Sequence, residues 1–240
     1  MKENQWEVPI LECERKRVFI LLMAVGGYLG AFTFTQRGGV FCNAQTANFV
    51  LLSIALGSGL WHKALYYLIP IGAYLCGTVI SELLPNHIKK MHHIRWDTVL
   101  VGLEAVVVFL LGFVPDAWPY QITHITVNFI CSMQYNTFRQ AEHIPMATTF
   151  CTNHIRQTGI YFSKWLKHRD MPEHKTRFLS HISMLLAFLA GGISSTFLGH
   201  LLGSKALWGA SLLLLLLFID LIHADLTTEK DLLDLKPAGH

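Results

Sequence analysis

Hydrophobic residues in this chain fall into long blocks broken by short polar interruptions. Residues 18–34, 64–84, 99–114, 181–202 and 206–222 are each close to a bilayer span in length, which for a helix is about 17–25 residues. The blocks predict an all-α polytopic membrane protein. Two interruptions differ from ordinary loops. The first, residues 36–48, carries Arg37, Gly38, Gly39, Asn43, Gln45, Thr46 and Asn48; the second, residues 137–153, carries Arg139, Glu142, His143, Pro145, Thr148, Thr149, Thr152 and Asn153. A hydrocarbon interior penalises unpaired polar groups, so irregular polar backbone at membrane depth persists only inside protein or beside water. These two segments are the expected seat of function.

The two halves of the chain echo each other. Residues 73–81 and 187–195 both read Ala, aromatic, Leu, small, Gly, and both end in Ser. Thr33, Phe34 and Gln36 are matched by Thr137, Phe138 and Gln140, Asn48 by Asn153, and Trp61 by Trp165. The matches keep one order, which points to a duplicated unit; a longer loop near 166–178 absorbs the drift in spacing. The expected organisation is an N-terminal cytoplasmic segment (1–16), membrane unit one (17–115), membrane unit two (116–224) and a short acidic, solvated cytoplasmic tail (225–240). Residues 18–23 run on into a Gly-rich helix and read as a span, not as a cleaved signal.

Short helices after the interruptions, at about 46–60 and 147–163, decide the topology. If both dip in and return, there are six crossings, and 16 of the 19 Lys and Arg residues face the cytoplasm. If both cross fully, the division is 13 to 6. Cytoplasmic loops are enriched in these residues, so six transmembrane helices plus two re-entrant short helices are expected, with both termini inside. Three crossings per unit invert the second unit relative to the first. Inverted repeats with broken helices meeting at mid-membrane are a common plan of secondary transporters. Trp61, Trp96, Trp118, Trp165 and Trp208 fall at expected span ends, where amphipathic rings prefer the headgroups. Ala73 and Gly77, like Ala187 and Gly191, have the small-xxx-small spacing that lets helices approach closely.

Composition agrees: 52% of residues are hydrophobic and 15% charged, against roughly 25% charged in soluble domains. The five cysteines, Cys13, Cys42, Cys76, Cys131 and Cys151, form no CxxC and read as packing residues. No cofactor, metal or nucleic-acid motif stands out, and no nucleophile–base pair suggests an enzyme. His87, His92 and His93 beside Lys89 and Lys90 read as a cationic loop at an anionic lipid surface.

The candidate chemistry lies in the interruptions and in two helices. Gly38 and Gly39 can break the first helix. Thr46 or Asn48 can cap the short helix that follows, and Thr148, Thr149, Thr152 and Asn153 can do the same in the second half. Two helix N-termini aimed at the centre suit an anion or a polar solute; the alternative is that these groups only cap their own broken helices. Glu104 lies in the middle of an apolar helix, where an ionisable group is costly and is a functional candidate by default. His124, Asn128, Gln134 and Asn136 share one helix and are candidates to line a path, with Asn43 and Gln45 beside them. Arg37 and Arg156 are candidates for substrate charge. The expected partners are the lipid bilayer, a small polar or anionic solute and further copies of the chain. A non-transporting assembly or partner-binding protein is the competing reading.

The run Gly26-Gly27-Tyr28-Leu29-Gly30-Ala31-Phe32-Thr33-Phe34, with Arg37 to Phe41 and Asn43 to Asn48, resembles the YoaK family, bacterial membrane proteins of unknown function. Met133 to Arg139 with Ala147 to Asn153 resembles its second signature. The resemblance covers nearly the whole chain and implies a bacterial inner-membrane protein with about six spans. This chain departs from the family at Gly30, where many members carry Asp, and at Thr46-Ala47-Asn48, where Thr-Gly-Asn is common. The family supplies no activity.

Overall fold

The computed structural model describes residues 9–84 and 94–237. The histidine and lysine cluster at 87–93 lies outside the described residues. The fold is helical: α1 (Lys16–Gln36), α2 (Gln45–Gly57), α3 (Trp61–Leu83), α4 (Trp96–Leu111), α5 (Gln121–Thr137), α6 (Thr152–Lys167), α7 (Pro172–Leu202) and α8 (Leu207–Leu226). Among the described residues three helical stretches are long and apolar enough to cross a membrane: Lys16–Gln36, Trp61–Leu83 and the 55-residue Pro172–Leu226. At about 1.5 Å per residue the last is more than twice a hydrocarbon core of about 30 Å. It turns over at Gly203, whose φ is +56°.

Helix partnerships define the bundle. The principal pairs are α1 with α7, α3 with α5, and α4 with α8; the short helices α2 and α6 lie on α3 and α7. Named contacts fix their directions. Ala24 meets Gly191 and Gln36 meets Gly199, so α1 and α7 run parallel. Tyr66 bonds His124 and Ser81 bonds Asn136, so α3 and α5 also run parallel. Thr98 bonds Asp225 and Ser211 bonds Ala105, so α4 and α8 are antiparallel. Phe19 packs on Phe138, while Arg37 just after α1 bonds His124, so α1 opposes α5. Gly77 and Gly191 both sit at crossings where a Cβ would overlap a facing carbonyl oxygen, that of Phe129 and that of Ala24 respectively. The small-xxx-small pairs thus make contacts within the bundle.

Each end of the bundle is tied by a buried arginine. At one end Arg37 pairs with Asp116 at 3.0 Å, and donates to the Val114 carbonyl at 3.1 Å and to Ser204 at 2.8 Å. At the other end Arg95 pairs with Asp225 (3.3 Å) and Glu229 (3.5 Å), and donates to the carbonyls of Leu232 (2.7 Å) and Leu235 (2.9 Å). The tail through 235 is therefore docked, where the sequence had suggested solvation. A buried cation needs its counter-charges, and the tail brings them.

Other expectations need correction. Trp96 is buried and donates to Thr137 at 2.9 Å; it pins α4 to α5 instead of anchoring in headgroups. Residues 172–178, expected to be loop, open α7: Pro172 sits at its start and Glu173 in its first turn, both favoured there. The second interruption contains a two-residue hairpin, β1 (Gln140–Ala141) and β2 (Ile144–Pro145). Its turn residues Glu142 and His143 have φ of +47° and +63°, the geometry of a type I′ turn. The hairpin is tied to the chain before α1: the Glu142 N–H donates to the Glu14 carbonyl (3.0 Å), and the Lys16 N–H donates to the Glu142 carboxylate (3.2 Å).

Candidate functional site

The first interruption starts where α1 ends, at Gly38 and Gly39 with φ of +79° and +74°. The chain then folds back into the bundle. Asn43 is buried and donates to the Gly26 carbonyl at 2.9 Å, halfway along α1. Its side chain fills the space a Cβ on Gly30 would enter, 2.6 Å from Asn43 Nδ2. Gln45 opens α2 and donates to Asn128 Oδ1 at 2.6 Å. Asn128 in turn donates to the His124 carbonyl at 2.7 Å. His124 is buried between the Arg37 carbonyl, on Nε2, and the Tyr66 hydroxyl, on Nδ1.

The capping expectation fails here. The N-cap of α2 is Ala44, and no side chain caps it. Thr46 is exposed. Asn48 is fully buried but reaches backwards, donating to the Phe41 carbonyl (2.9 Å) and to Gln45 Oε1 (3.1 Å). It fastens the loop, seven residues back, instead of satisfying the helix N-terminus.

The second interruption approaches α1 from the other end of the bundle. The Thr148 carbonyl lies against Gly26, so close that a Cβ there would sit 2.6 Å from the oxygen. Gln134 donates to that carbonyl at 3.5 Å. Thr148 and Thr149 are fully buried, and among the described residues the Thr148 hydroxyl has no hydrogen-bond partner. The N-cap of α6 is Cys151, again without a side-chain cap. Thr152 is exposed, and half-buried Asn153 accepts from Arg156 at 3.2 Å. The residue that repeats the work of Asn48 is His154. Its Nε2 meets the carbonyl of Ala147, seven residues back, at 2.8 Å, and its Nδ1 meets Nδ1 of His181 at 3.0 Å. Both rings are buried.

A cavity of about 360 Å³ opens beside this second segment, lined by Asn136, Arg139 and Asn153 with Tyr135, Met146 and Phe150. Arg139 bonds Asn136 and forms an ion pair with Glu82 at 3.0 Å. Asn136 also donates to Ser81 and Glu82. A larger and more apolar groove of about 580 Å³ lies between α1 and α7, with Asn43 at its wall. Glu104 is buried in α4, and among the described residues neither carboxyl oxygen has a hydrogen-bond partner.

The structure thus brings Asn43, Asn48, His124, Asn128, Gln134, Thr148 and Thr149 into the interior, the first five through their own hydrogen bonds, with half-buried Gln45 bonded at its edge. It leaves Thr46 and Thr152 outside that group, with Asn136 and Asn153 on the cavity. Arg37 is held by Asp116, and Arg156 is exposed on α6. Among the described residues no group of three or more His, Cys, Asp or Glu could hold a metal ion. Sequence reasoning missed His154, His181 and the cavity position of Arg139. His154 was one residue away: shifting the match of the halves by one aligns it with Asn48, and the seven-residue reach back is the shared signal.

No curated protein and no solved structure matches the chain. A family model described as protein of unknown function (DUF1275) matches residues 18–219, a stretch that takes in both interruptions and the helices that carry them. The chain therefore belongs to this family, which is the family of YoaK.

Proposed function

We propose that the protein is a small secondary transporter or channel for a small polar or anionic solute. It is folded as an inverted repeat, with α2 and α6 as re-entrant helices entering from opposite membrane faces. The observation that carries this reading is the convergence on Gly26. Asn43 of the first interruption bonds its carbonyl, and Thr148 of the second abuts its Cα. The helix partnerships support the repeat. Exchanging α1–α4 with α5–α8 turns the α1–α7 pair into α5–α3 and leaves α4–α8 paired, and the exchanged helices α1 and α5 run in opposite senses. In this reading α1, α3, α4, α5, α7 and α8 cross the membrane. The 16-residue α4 and 17-residue α5 are short for a span of about 17–25 residues. The protein sits in the bacterial inner membrane with both termini cytoplasmic.

Solute enters through the cavity beside α6, where Arg139, paired with Glu82, and the amides of Asn136 and Asn153 offer hydrogen-bonding groups. Gln45, Asn128, Gln134, Thr148 and Thr149 form the closed part of the path, and Glu104 is its ionisable group. Sidedness is the first test. Single cysteines at Trp61, Trp118 and His168 in a cysteine-free background are probed with an impermeant thiol reagent on intact cells. Positions 61 and 118 are expected to label and 168 is not. If 61 and 118 are both protected, the re-entrant assignment of α2 is wrong. A thermal-shift screen against inorganic anions, organic acids and small polar solutes then selects the solute for uptake into proteoliposomes. Loss of uptake in N48A and N153A supports the site, and full uptake in both removes it.

One observation favours a second reading, a non-transporting assembly or partner-binding protein. Asn43, Gln45, Asn48 and Asn128 are bonded to protein groups, as purely architectural residues would be. That reading expects no solute-dependent stabilisation and co-purification of a partner.

A further inference from the structure

The His154–His181 pair lies outside the path described above, and its geometry restricts where its hydrogens can be. Ala147 offers a carbonyl oxygen, which can only accept, so His154 Nε2 carries a hydrogen. In a neutral pair the His154 Nδ1 is then bare, and His181 Nδ1 must donate to it across 3.0 Å. His181 Nε2 keeps the remaining lone pair. One added proton, taken on that lone pair, leaves every hydrogen bond intact. A second would set two N–H groups facing each other across the same 3.0 Å, which the contact does not allow.

We propose that His154 and His181 form a single-proton binding site that latches the start of α6 to α7. It takes up one proton with the latch closed, and a second opens it. The surroundings are specific. On α6, Tyr161 stacks on His181 with 13° between the rings, and Lys164 lies over Tyr161. On α7, Arg177 donates to the Tyr161 hydroxyl and pairs with Glu173, while His174 lies against Tyr161. On α1, which also packs on α7, Arg17 turns away to Glu12 and Asp220. Among these groups no carboxylate contacts the imidazole pair, so no counter-ion holds the added proton in place. Opening the latch separates the start of α6 from α7 beside the segment that carries Thr148 and Thr149 towards Gly26, while His154 Nε2–H can keep its bond to Ala147. That consequence for solute movement rests on the transport reading; the proton site itself does not.

The test uses the full-length protein in lipid nanodiscs with its histidine rings labelled with nitrogen-15, followed by NMR across pH. Assignment comes from His154→Gln and His181→Gln. The expected result is a pair of rings with fixed, opposite tautomers at neutral pH, His154 as Nε2–H and His181 as Nδ1–H, whose signals move together in one step. The second step coincides with loss of amide protection in the first turns of α6. Each variant should abolish the shared step; His154→Gln should leave His181 with mixed tautomers, while His181→Gln should shift the His154 signal with its Nε2–H still held by Ala147. Two rings that titrate independently in the unmodified protein overturn the proposal, as does a His154 signal unmoved by His181→Gln. The measurement needs no solute. A chain that titrates as a pair yet moves nothing in proteoliposomes keeps this site and loses the transporter assignment.

Discussion

Gly191 and Ala24 meet at the crossing of α7 and α1 with no room for a side chain, since a Cβ on Gly191 would overlap the Ala24 carbonyl oxygen. Gly77 stands in the same relation to Phe129 where α3 crosses α5. Lipid tails are as apolar as leucine, so such crossings are held by close van der Waals packing, with little from hydrophobic burial. A methyl group at either position forces the backbones apart. Gly191→Ala and Gly77→Ala are each expected to destabilise the bundle by about 1–3 kcal/mol, the usual cost of overpacking. Gly72→Ala, with nothing within 4 Å of an added Cβ, should be neutral or slightly stabilising through helix propensity. Thermal unfolding in detergent distinguishes the three. Equal stability of all of them would mean that the crossings are looser than described.

Gln45 and Asn128 share a 2.6 Å hydrogen bond between the start of α2 and the middle of α5. Truncating Gln45 to Ala leaves the fully buried Asn128 amide oxygen short of that donor, at about 1–3 kcal/mol, and truncating Asn128 costs half-buried Gln45 less. Truncating both removes the need for the bond. The double variant should therefore lose less stability than the sum of the single losses, with a coupling of about 0.5–2 kcal/mol. Additivity within about 0.3 kcal/mol would show that the two amides do not hold each other.

The helices were legible because long apolar blocks have few alternatives. The break after Gln36 was legible because Gly38 and Gly39 supply positive φ. Gly77 and Gly191 were also readable, since close crossing is what that spacing is for. The inward face of α5 was visible in the four-residue spacing of His124 and Asn128. What could not be read was long-range partnership. Nothing local to Arg95 says that it clasps a tail 130 residues away, and the acidic tail looked solvated because its charges had no visible partner. Thr46 and Asn48 looked like caps because side-chain type does not reveal that Asn48 turns back to Phe41. His154 was hidden because Asn153 next to it gave the more obvious identity match. The turn at Glu142 and His143 was hidden because its positive φ comes without glycine.

Arg95 is buried among Asp225, Glu229 and two tail carbonyls. Removing one partner of a buried ion pair strands the other, at about 3–5 kcal/mol. Arg95→Met should therefore cost several kcal/mol and release the tail to proteolysis after residue 226. Arg95→Met combined with Asp225→Asn should recover part of the loss, since the amide leaves no stranded charge at 225 and its oxygen still accepts from Thr98 and the residue 95 N–H. Limited proteolysis read by mass spectrometry reports the tail, and failure of the double change to recover stability would point to the tail carbonyls as the essential partners.

Burial pushes the Glu229 carboxyl above its ordinary range, against the opposing pull of the Glu12 N–H and of Arg95. A raised folded value means that folding favours the protonated acid. Its contribution to stability is then complete below the ordinary glutamate range, near pH 4.3, and is lost as pH rises through the raised value. Glu229→Gln removes this titration. The unmodified protein should lose stability relative to the variant as pH climbs from about 4 towards neutrality, read as a widening difference in melting temperature. A difference that narrows over that window would mean that the Arg95 pairing outweighs burial.

Glu104 separates architecture from function by the sign of a stability change. A buried carboxyl with neither oxygen partnered among the described residues costs about 1–3 kcal/mol relative to an apolar group of similar size. Glu104→Leu should therefore hold or raise the melting temperature of the purified protein. Glu104→Gln, which keeps a polar head in the same place, should gain little. Residues kept only for packing do not behave this way: Asn43→Leu breaks the bond to Gly26 and is expected to destabilise. A position where the native residue costs stability is one where function keeps it, so Glu104→Leu should also abolish uptake once a solute is in hand. If the leucine variant is instead less stable by more than about 1 kcal/mol, the carboxyl has a structural partner. If it is more stable and transport is untouched, Glu104 takes no part in the path and the ionisable group must be sought at His154 and His181.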